Sequence, residues 1–346
     1  MAQLFLAALR HAGHAPVLAS RFRSFEGLGD PQRQMRLAAV GQALAERLLR
    51  RFRTAPETAP GLWFTYHIQH KSPDWLGPRV AGALGIPYVV AEASFAPKQV
   101  GGPWDAGHHA AADAIRGAAA VIGLNPADRD CVLPLLAEPS RWVAVKPFLD
   151  AGCYRPRPRG GRAPPLLIAV AMMRHGDKLA SYRLLAEALI RLNDLDWSLA
   201  VVGDGAARPE VAHALAALDR RVCWKGALGP AALARELAAA DICVWPAINE
   251  AYGMALLEAQ ASGLPVVAGA SGGVGEIVAS GVTGLLVPLG DAAAFAAAVR
   301  RLILDPDLRA RFAAAARQRV LAEHDLPTAS ARLGAAIDAL RLADAA

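Results

Sequence analysis

The feature that most limits what this 346-residue chain can become is its alternation of two kinds of segment. Short runs of aliphatic and β-branched residues take turns with longer amphipathic runs over nearly the whole length. The pattern predicts strands at 16–20, 62–67, 87–91, 119–124 and 142–146, separated by helices at 2–12, 31–53, 74–84, 103–116 and 126–136. It restarts with strands at 166–172, 198–202, 221–224, 242–245, 265–268 and 284–287. Tyr182, Leu185, Leu189 and Leu192 mark the buried stripe of one intervening helix, and three helices finish the chain at about 292–304, 307–322 and 327–342. Each crossover helix returns the chain to the same sheet edge, so alternation on this scale means parallel, doubly wound sheets. Residues 152–165, rich in Pro, Gly and Arg, read as a linker between the two blocks. The expected fold class is α/β: two Rossmann-like domains, 1–151 and 166–325, facing across a cleft, with C-terminal helices. The last helix, 326–346, is expected to pack back toward the N-terminal domain. Ligands of such folds sit at the carboxyl ends of the strands.

A hydrophobic fraction of 54% against 20% charged residues is enough for a large core and excludes a disordered chain. No apolar run approaches the ~18 residues of a membrane-spanning helix. The apolar opening, Met1–Leu9, has no basic segment before it and no clear cleavage site, so it is not read as a signal peptide. Cys131, Cys153, Cys223 and Cys243 lie far apart, without zinc or dithiol spacing, which points to a reducing cytoplasm. The net charge of +6 comes almost wholly from arginine, since Lys71, Lys98, Lys146, Lys178 and Lys225 are the only lysines. Such a balance favours phosphate-bearing ligands or an anionic membrane surface. With no zinc-finger spacing, RNA-recognition signature or basic tail, no nucleic-acid partner is expected. Helix 31–53 carries an apolar stripe (Leu37, Val40, Leu44, Leu48, Phe52) and an arginine-rich end (Arg47, Arg50, Arg51, Arg53). It is either a core-facing helix with a cation-complemented dipole or an element that docks on the inner face of the membrane.

The most informative segment is 246–259, Pro-Ala-Ile-Asn-Glu-Ala-Tyr-Gly-Met-Ala-Leu-Leu-Glu-Ala. A buried strand ends in a loop, Gly253 allows close backbone approach, and a helix begins whose first amides form an anion site. Glu250 stands in the loop, and Glu258 lies eight residues on, inside the helix. Helical side chains tilt toward the N-terminus, so Glu258 can point back to the same pocket, where a carboxylate suits a vicinal diol. Alternatively, Glu258 is a solvated helix position and Glu250 a helix-entry residue.

Downstream stand Gly263-Leu264-Pro265-Val266-Val267-Ala268, Gly272-Gly273-Val274-Gly275-Glu276 and Thr283-Gly284-Leu285-Leu286-Val287. With the Glu-x7-Glu pair, this ordered set resembles the retaining glycosyltransferases of family four, which have the GT-B fold. Val201-Val202-Gly203-Asp204-Gly205 and Trp224-Lys225-Gly226 match two further family positions. The resemblance implies that Glu258 binds the ribose hydroxyls of a nucleotide-diphosphate sugar and that Glu250 lies by the donor sugar. It also implies donor contacts from Gly203, Gly205, Gly226 and Tyr252, with the amides of Gly253, Met254 and Ala255 on the diphosphate and sugar. Arg174 and Lys178, in the first strand-end loop of the second domain, are the cations expected to neutralise the departing diphosphate. The implied activity is metal-independent, retaining transfer to an unidentified acceptor in glycan or glycolipid assembly, with no cofactor beyond the donor itself. A nucleotide-sugar-binding protein without turnover is the alternative.

Asp194-Leu195-Asp196 and Asp305-Pro306-Asp307 spell Asp-x-Asp, but neither follows a buried strand, so they read as turn and capping residues and no metal is expected. The N-terminal domain should supply the acceptor side, with His67, Glu92, Ser94 and Lys98 as candidates at its strand ends. Many family members carry a histidine where this chain has 91–94, Ala-Glu-Ala-Ser, which leaves that role unassigned. His108-His109 reads as a helix-surface pair. Against the family pattern the chain starts inside the first helix, so the first strand and its Gly-rich loop are missing and 16–20 corresponds to the family's second strand. Unpaired edges and an apolar slot in the first sheet are then expected. The gene would start upstream, or the product would bind nucleotide with impaired transfer.

Overall fold

The structure, a computed structural model, describes residues 1–156 and 164–344. Residues 157–163 of the expected linker, and the last two of the expected C-terminal helix, lie outside the described residues. The chain divides into two compact units, Met1–Lys146 with the stretch from Ala329 on, and Pro147–Thr328.

The first unit runs α1 (Ala2–His11), α2 (Pro31–Thr54), β1 (Trp63–Ile68), α3 (Gly77–Leu84), β2 (Tyr88–Ala93), α4 (Asp105–Arg116), β3 (Ala120–Gly123), α5 (Pro126–Val132) and β4 (Trp142–Ala144). Its sheet is parallel throughout, in the order β1-β2-β3-β4. Every residue of β2 is buried, as expected of an inner parallel strand covered on both faces. Helix α2 starts where Asp30 accepts from the amides of Gln32 and Arg33 with Pro31 at the first helical position.

Two expectations fail in this unit, and a third holds in part. Residues 16–20 form no strand: Val17 is 83% and Leu18 65% exposed, and the sheet is continuous, with β1 at its edge. Phe5 of α1 instead packs its ring on Phe64 and Tyr66, alternate residues of β1, each 5.7 Å away. In α2, Phe52 is buried and Leu44 and Leu48 pack against the core as the stripe suggests, but Val40 faces out and Gln34, Gly41, Ala45 and Leu49 are buried as well. Gly41 sets this rotation, because a Cβ there would overlap the Cβ of Trp75. His108 is buried and stacks on Phe95 at 4.5 Å; only His109 is on the surface. A cavity of about 760 Å³ opens at the amino ends of these strands, lined by Tyr88, Ala120, Arg141 and Leu340.

The second unit contains β5 (Leu166–Val170), α6 (Asp177–Ile190), β6 (Ser198–Val202), α7 (Arg208–Ala214), β7 (Val222–Gly226), α8 (Pro230–Ala239), β8 (Ile242–Trp245), α9 (Met254–Ala261), β9 (Val266–Gly269), α10 (Val274–Ile277) and β10 (Gly284–Val287). Helices α11 (Ala292–Leu304) and α12 (Pro306–Arg319) follow, then a π-helical turn, Val320–His324, and α13 (Leu326–Asp344), which from Ala329 on belongs to the first unit. The parallel sheet has the order β10-β9-β8-β5-β6-β7. The unit begins at Pro147, well ahead of 166, because 147–154 is tied into it. Leu149 N donates to His324 O (3.0 Å), Ala151 N donates to Asp325 Oδ1 (3.0 Å), and Tyr154 joins the core. Of the Asp-x-Asp pairs, Asp194 is held by both terminal nitrogens of Arg300 at 2.7 Å, and Asp305 caps α12 through Leu308 N.

Candidate functional site

In the second unit the chain lays down β5, β6 and β7 in one direction, then returns to add β8 on the other side of β5. The carboxyl ends of β5 and β8 are therefore the topological switch point, where the crossover helices diverge and leave a crevice. The loops that follow these strands, 171–176 and 246–253, carry the sequence's main candidates.

The loop after β8 is held in a demanding conformation. Ala247 and Asn249 take left-handed backbone, φ 56° and 50°. Side chains from elsewhere hold it there: Ile248 N donates to Ser181 Oγ (3.0 Å), Glu250 N to Ser271 Oγ (3.0 Å), and Asn249 Nδ2 to Asp177 Oδ2 (2.8 Å). Gly273 N adds a bond to Ala251 O at 2.9 Å. Gly272 and Gly273 lie so near the carbonyls of Glu250 and Ala251 that a Cβ at either would collide with them. Gly253, at φ 77°, is the N-cap of α9. Met254 and Ala255 open that helix, and the first amides of a helix have no intrahelical acceptor.

The structure brings two predicted residues together: Lys178, in the first turn of α6, forms an ion pair with Glu250. Trp245 supports both partners. Its indole N–H donates to Glu250 Oε2 (3.3 Å), and its ring lies 5.5 Å from the Lys178 ammonium. Tyr182 meets the indole edge-on at 5.0 Å and is fixed by its own hydroxyl donating to Ala171 O (2.9 Å). Arg174 is exposed in the loop after β5. Glu258 stands on α9, where burial pushes its pKa up and a hydrogen bond from the Tyr154 hydroxyl partly offsets that. Burial and the neighbouring Glu258 in turn raise the Tyr154 hydroxyl.

Gly203 and Gly205 act through backbone packing. At φ 140° and 151° they press against the carbonyls of Ala171 and Met173, leaving no room for a Cβ. Gly203 N donates to Gly226 O (2.8 Å), and Met173 N to Asp204 O (2.9 Å), lacing the ends of β5, β6 and β7 together. Gly226 has open space around it and is required for its φ of 64°. Tyr252 lies in the loop, half-buried.

In the first unit, His67 and Glu92 meet at the carboxyl ends of β1 and β2, with Nδ1 3.7 Å from Oε2. Ser94 bonds to Asp128 in the first turn of α5. Lys98 sits on a separate 3₁₀ turn, Pro97–Gln99. Sequence reasoning missed Ser181, Ser271, Trp245, Tyr154 and Asp128. Ser181, one turn after Asp177 on α6, and Ser271, directly before the glycine pair, offered a positional signal. Tyr154 and Asp128 offered none.

Solved structures share this architecture. Anabaena HepE in complex with UDP matches with a TM-score of 0.71 at 18% identity, over 86% of this chain and 82% of that one. Sucrose-phosphate synthase from Thermosynechococcus elongatus matches at 0.67 and 20%, over 87% and 78%. The class is thus the GT-B fold, two Rossmann-like domains with C-terminal helices. Residues 164–305 match the family described as glycosyl transferases group 1. A D-inositol 3-phosphate glycosyltransferase from a Nocardioides species is 34% identical over 207 residues, 52% of this chain and 44% of the relative. The chain spans about half the length of the curated relatives it matches.

Proposed function

We propose that the protein moves a sugar from a nucleotide-diphosphate sugar to a hydroxyl-bearing acceptor, with retention and without a metal. The observation that carries this reading is the Lys178–Glu250 pair at the switch point, on the loop that leads through Gly253 into the helix bearing Glu258. Glu258 takes the ribose hydroxyls, the opening amides of α9 take the diphosphate, and Arg174 and Lys178 stabilise the charge that grows on it as the glycosidic bond breaks. Glu250 sits by the donor sugar. The acceptor attacks on the face from which diphosphate leaves, and a leaving-group oxygen accepts its proton. Engagement of Asp194 by Arg300, and of Asp305 as a helix cap, supports the metal-free reading. HepE has been solved with UDP-glucose, which makes UDP-sugars the first donors to test.

Peripheral contact with an anionic membrane belongs to the same proposal. Helix α2 exposes Arg33, Arg36, Arg47, Arg50, Arg51 and Arg53 beside Met35 (63% exposed) and Val40 (48%), while its one acid, Glu46, is engaged by Arg79. No helix among the described residues is long and apolar enough to cross a membrane.

Calorimetry with UDP and UDP-glucose, together with release or transfer of radiolabelled sugar, tests the reading. Binding and turnover are expected in the wild type, with loss of UDP affinity in Glu258→Ala. Binding without any release or transfer would favour the nucleotide-sugar-binding alternative; no binding of any nucleotide diphosphate would overturn both.

A further inference from the structure

The carboxyl end of the first unit's sheet holds a cluster of titratable groups to which the proposed function gives no donor contact. His67 and Glu92, at the ends of adjacent strands, both hold left-handed backbone, φ 62° and 56°, although neither is glycine. Such conformations persist only where the surroundings over-determine them, and they gather at functional sites. Around Glu92 stand His67 Nδ1 at 3.7 Å and the Tyr66 hydroxyl, which donates to the carboxylate. Asp128 accepts from Ser94 a strand further on. Glu92 is only 8% exposed, yet its Oε1 has no hydrogen-bond partner. A buried carboxylate oxygen without a donor is costly, so the cluster lacks one hydrogen-bond donor. The charges that act on Asp128 are Glu92, which with burial pushes its pKa up, and His67, which pulls it down.

From this arrangement we infer that the cluster recognises the acceptor, and that the acceptor unit seated there is a polyol or amino sugar bearing hydroxyl or ammonium donors and no phosphate. The inference rests on the glycosyl-transfer reading and assigns the substrate class for its acceptor side. Two carboxylates accept hydrogen bonds and donate none, so they match hydroxyl and ammonium groups. A phosphate would set like charge against both, and His67, half-exposed, offers a single titratable cation in return. The parallel sheet places the cluster at the end where ligands of such folds bind.

The test uses the full chain, a radiolabelled UDP-sugar and an acceptor panel of inositol, methyl glucosides, methyl glucosaminides and their monophosphates. Label transfer is read alongside calorimetric binding of each probe to the UDP-saturated protein. Unphosphorylated members should accept sugar, and each monophosphate should be poorer by about tenfold or more. Glucosides against glucosaminides distinguish hydroxyl from ammonium recognition. Glu92→Gln should lower kcat/KM for the best acceptor while UDP affinity holds, with melting curves confirming that it folds. Asp128→Asn, on a half-exposed helical turn, should narrow the discrimination against phosphate. Preference for a monophosphate, unchanged kinetics in both variants, or UDP binding with no transfer to any unphosphorylated probe would overturn the assignment. Failure to bind UDP at all would instead sink the glycosyltransferase reading, and this inference with it.

Discussion

Replacing Ser181 by Ala should show how far the loop after β8 depends on its anchors. Ser181 is fully buried on α6, where its hydroxyl donates to Asp177 O (2.9 Å) and accepts from Ile248 N (3.0 Å). The substitution removes one oxygen and leaves no cavity of consequence. The Asp177 carbonyl lies in the helix and retains its i+4 amide, so losing the hydroxyl costs little at that end. The Ile248 amide loses its partner, at a cost of about 1–3 kcal/mol for a buried donor. Ile248 is half-buried and water can reach part of the site, which places the expected loss near ~1–1.5 kcal/mol. At about 2–4 °C per kcal/mol for a unit of this size, Tm should fall by ~2–6 °C. The same change loosens the loop that carries Asn249 and Glu250, while Ser271 still holds the Glu250 amide. Donor turnover should therefore fall by about three- to tenfold, as expected when a reacting group loses its placement, with UDP affinity nearly unchanged. Adding Ser271→Ala should give more than the sum of the two singles, because both anchors hold one loop. Thermal melting, UDP calorimetry and donor hydrolysis measure these effects. Wild-type stability and turnover in Ser181→Ala, or an equal fall in affinity and turnover, would refute the reasoning.

Other perturbations follow from the same geometry. Because burial raises the pKa of Glu258, its ionised form destabilises the fold above that pKa, and the penalty is relieved as pH falls through it. Glu258→Gln should thus melt higher at neutral pH, with the advantage shrinking in acid, yet bind UDP about 10–100-fold more weakly for want of a charged acceptor; melting and calorimetry over a pH series would show both. Lys178→Met, which removes the cation from Glu250, should lower donor turnover by about 10²-fold while uridine affinity holds, and equal losses would remove it from the diphosphate role. Gly203→Ala must place a Cβ against the Ala171 carbonyl and should cost ~2 kcal/mol or more. Gly226→Ala, with open space but φ 64°, should cost only ~1–2 kcal/mol, and the opposite ranking in denaturant melts would argue against the packing role of Gly203.

Several features were legible in the sequence because they are local. The Glu-x7-Glu spacing marked the loop and helix that the structure places at the switch point. Asp305 caps α12, as its place at a helix entrance suggests. The Thr-Gly-Leu-Leu-Val segment was visible as a motif, but its physical reason was not: Thr283 Oγ1 accepts from buried Gln260 Nε2 (2.8 Å) and from Ala279 N (3.0 Å). The burial of His108, and of Gly41 and Ala45 rather than Val40 on α2, was not legible because each depends on a partner outside its own helix. Phe95 covers the histidine, and Trp75 presses on the one position of the helix that lacks a Cβ.

The sequence alone determined that this chain folds as two parallel α/β sheets, since periodicity of 2 and 3.6 and the punctuating Gly and Pro residues act within a few residues of themselves. Only the tertiary structure decided which apolar runs found a sheet to join. Residues 16–20 have strand chemistry and no neighbouring strand, so their apolar side chains remain in solvent. It also decided the charges at the site. Lys178 and Glu250 are 72 residues apart, and Ser181 and Ile248 67. They meet because β5 and β8 are hydrogen-bonded neighbours whose following loops leave the same sheet edge side by side. Local pattern selects the elements; which side chains share a dielectric, a hydrogen bond or a charge is set by strand order, and that is a property of the whole sheet.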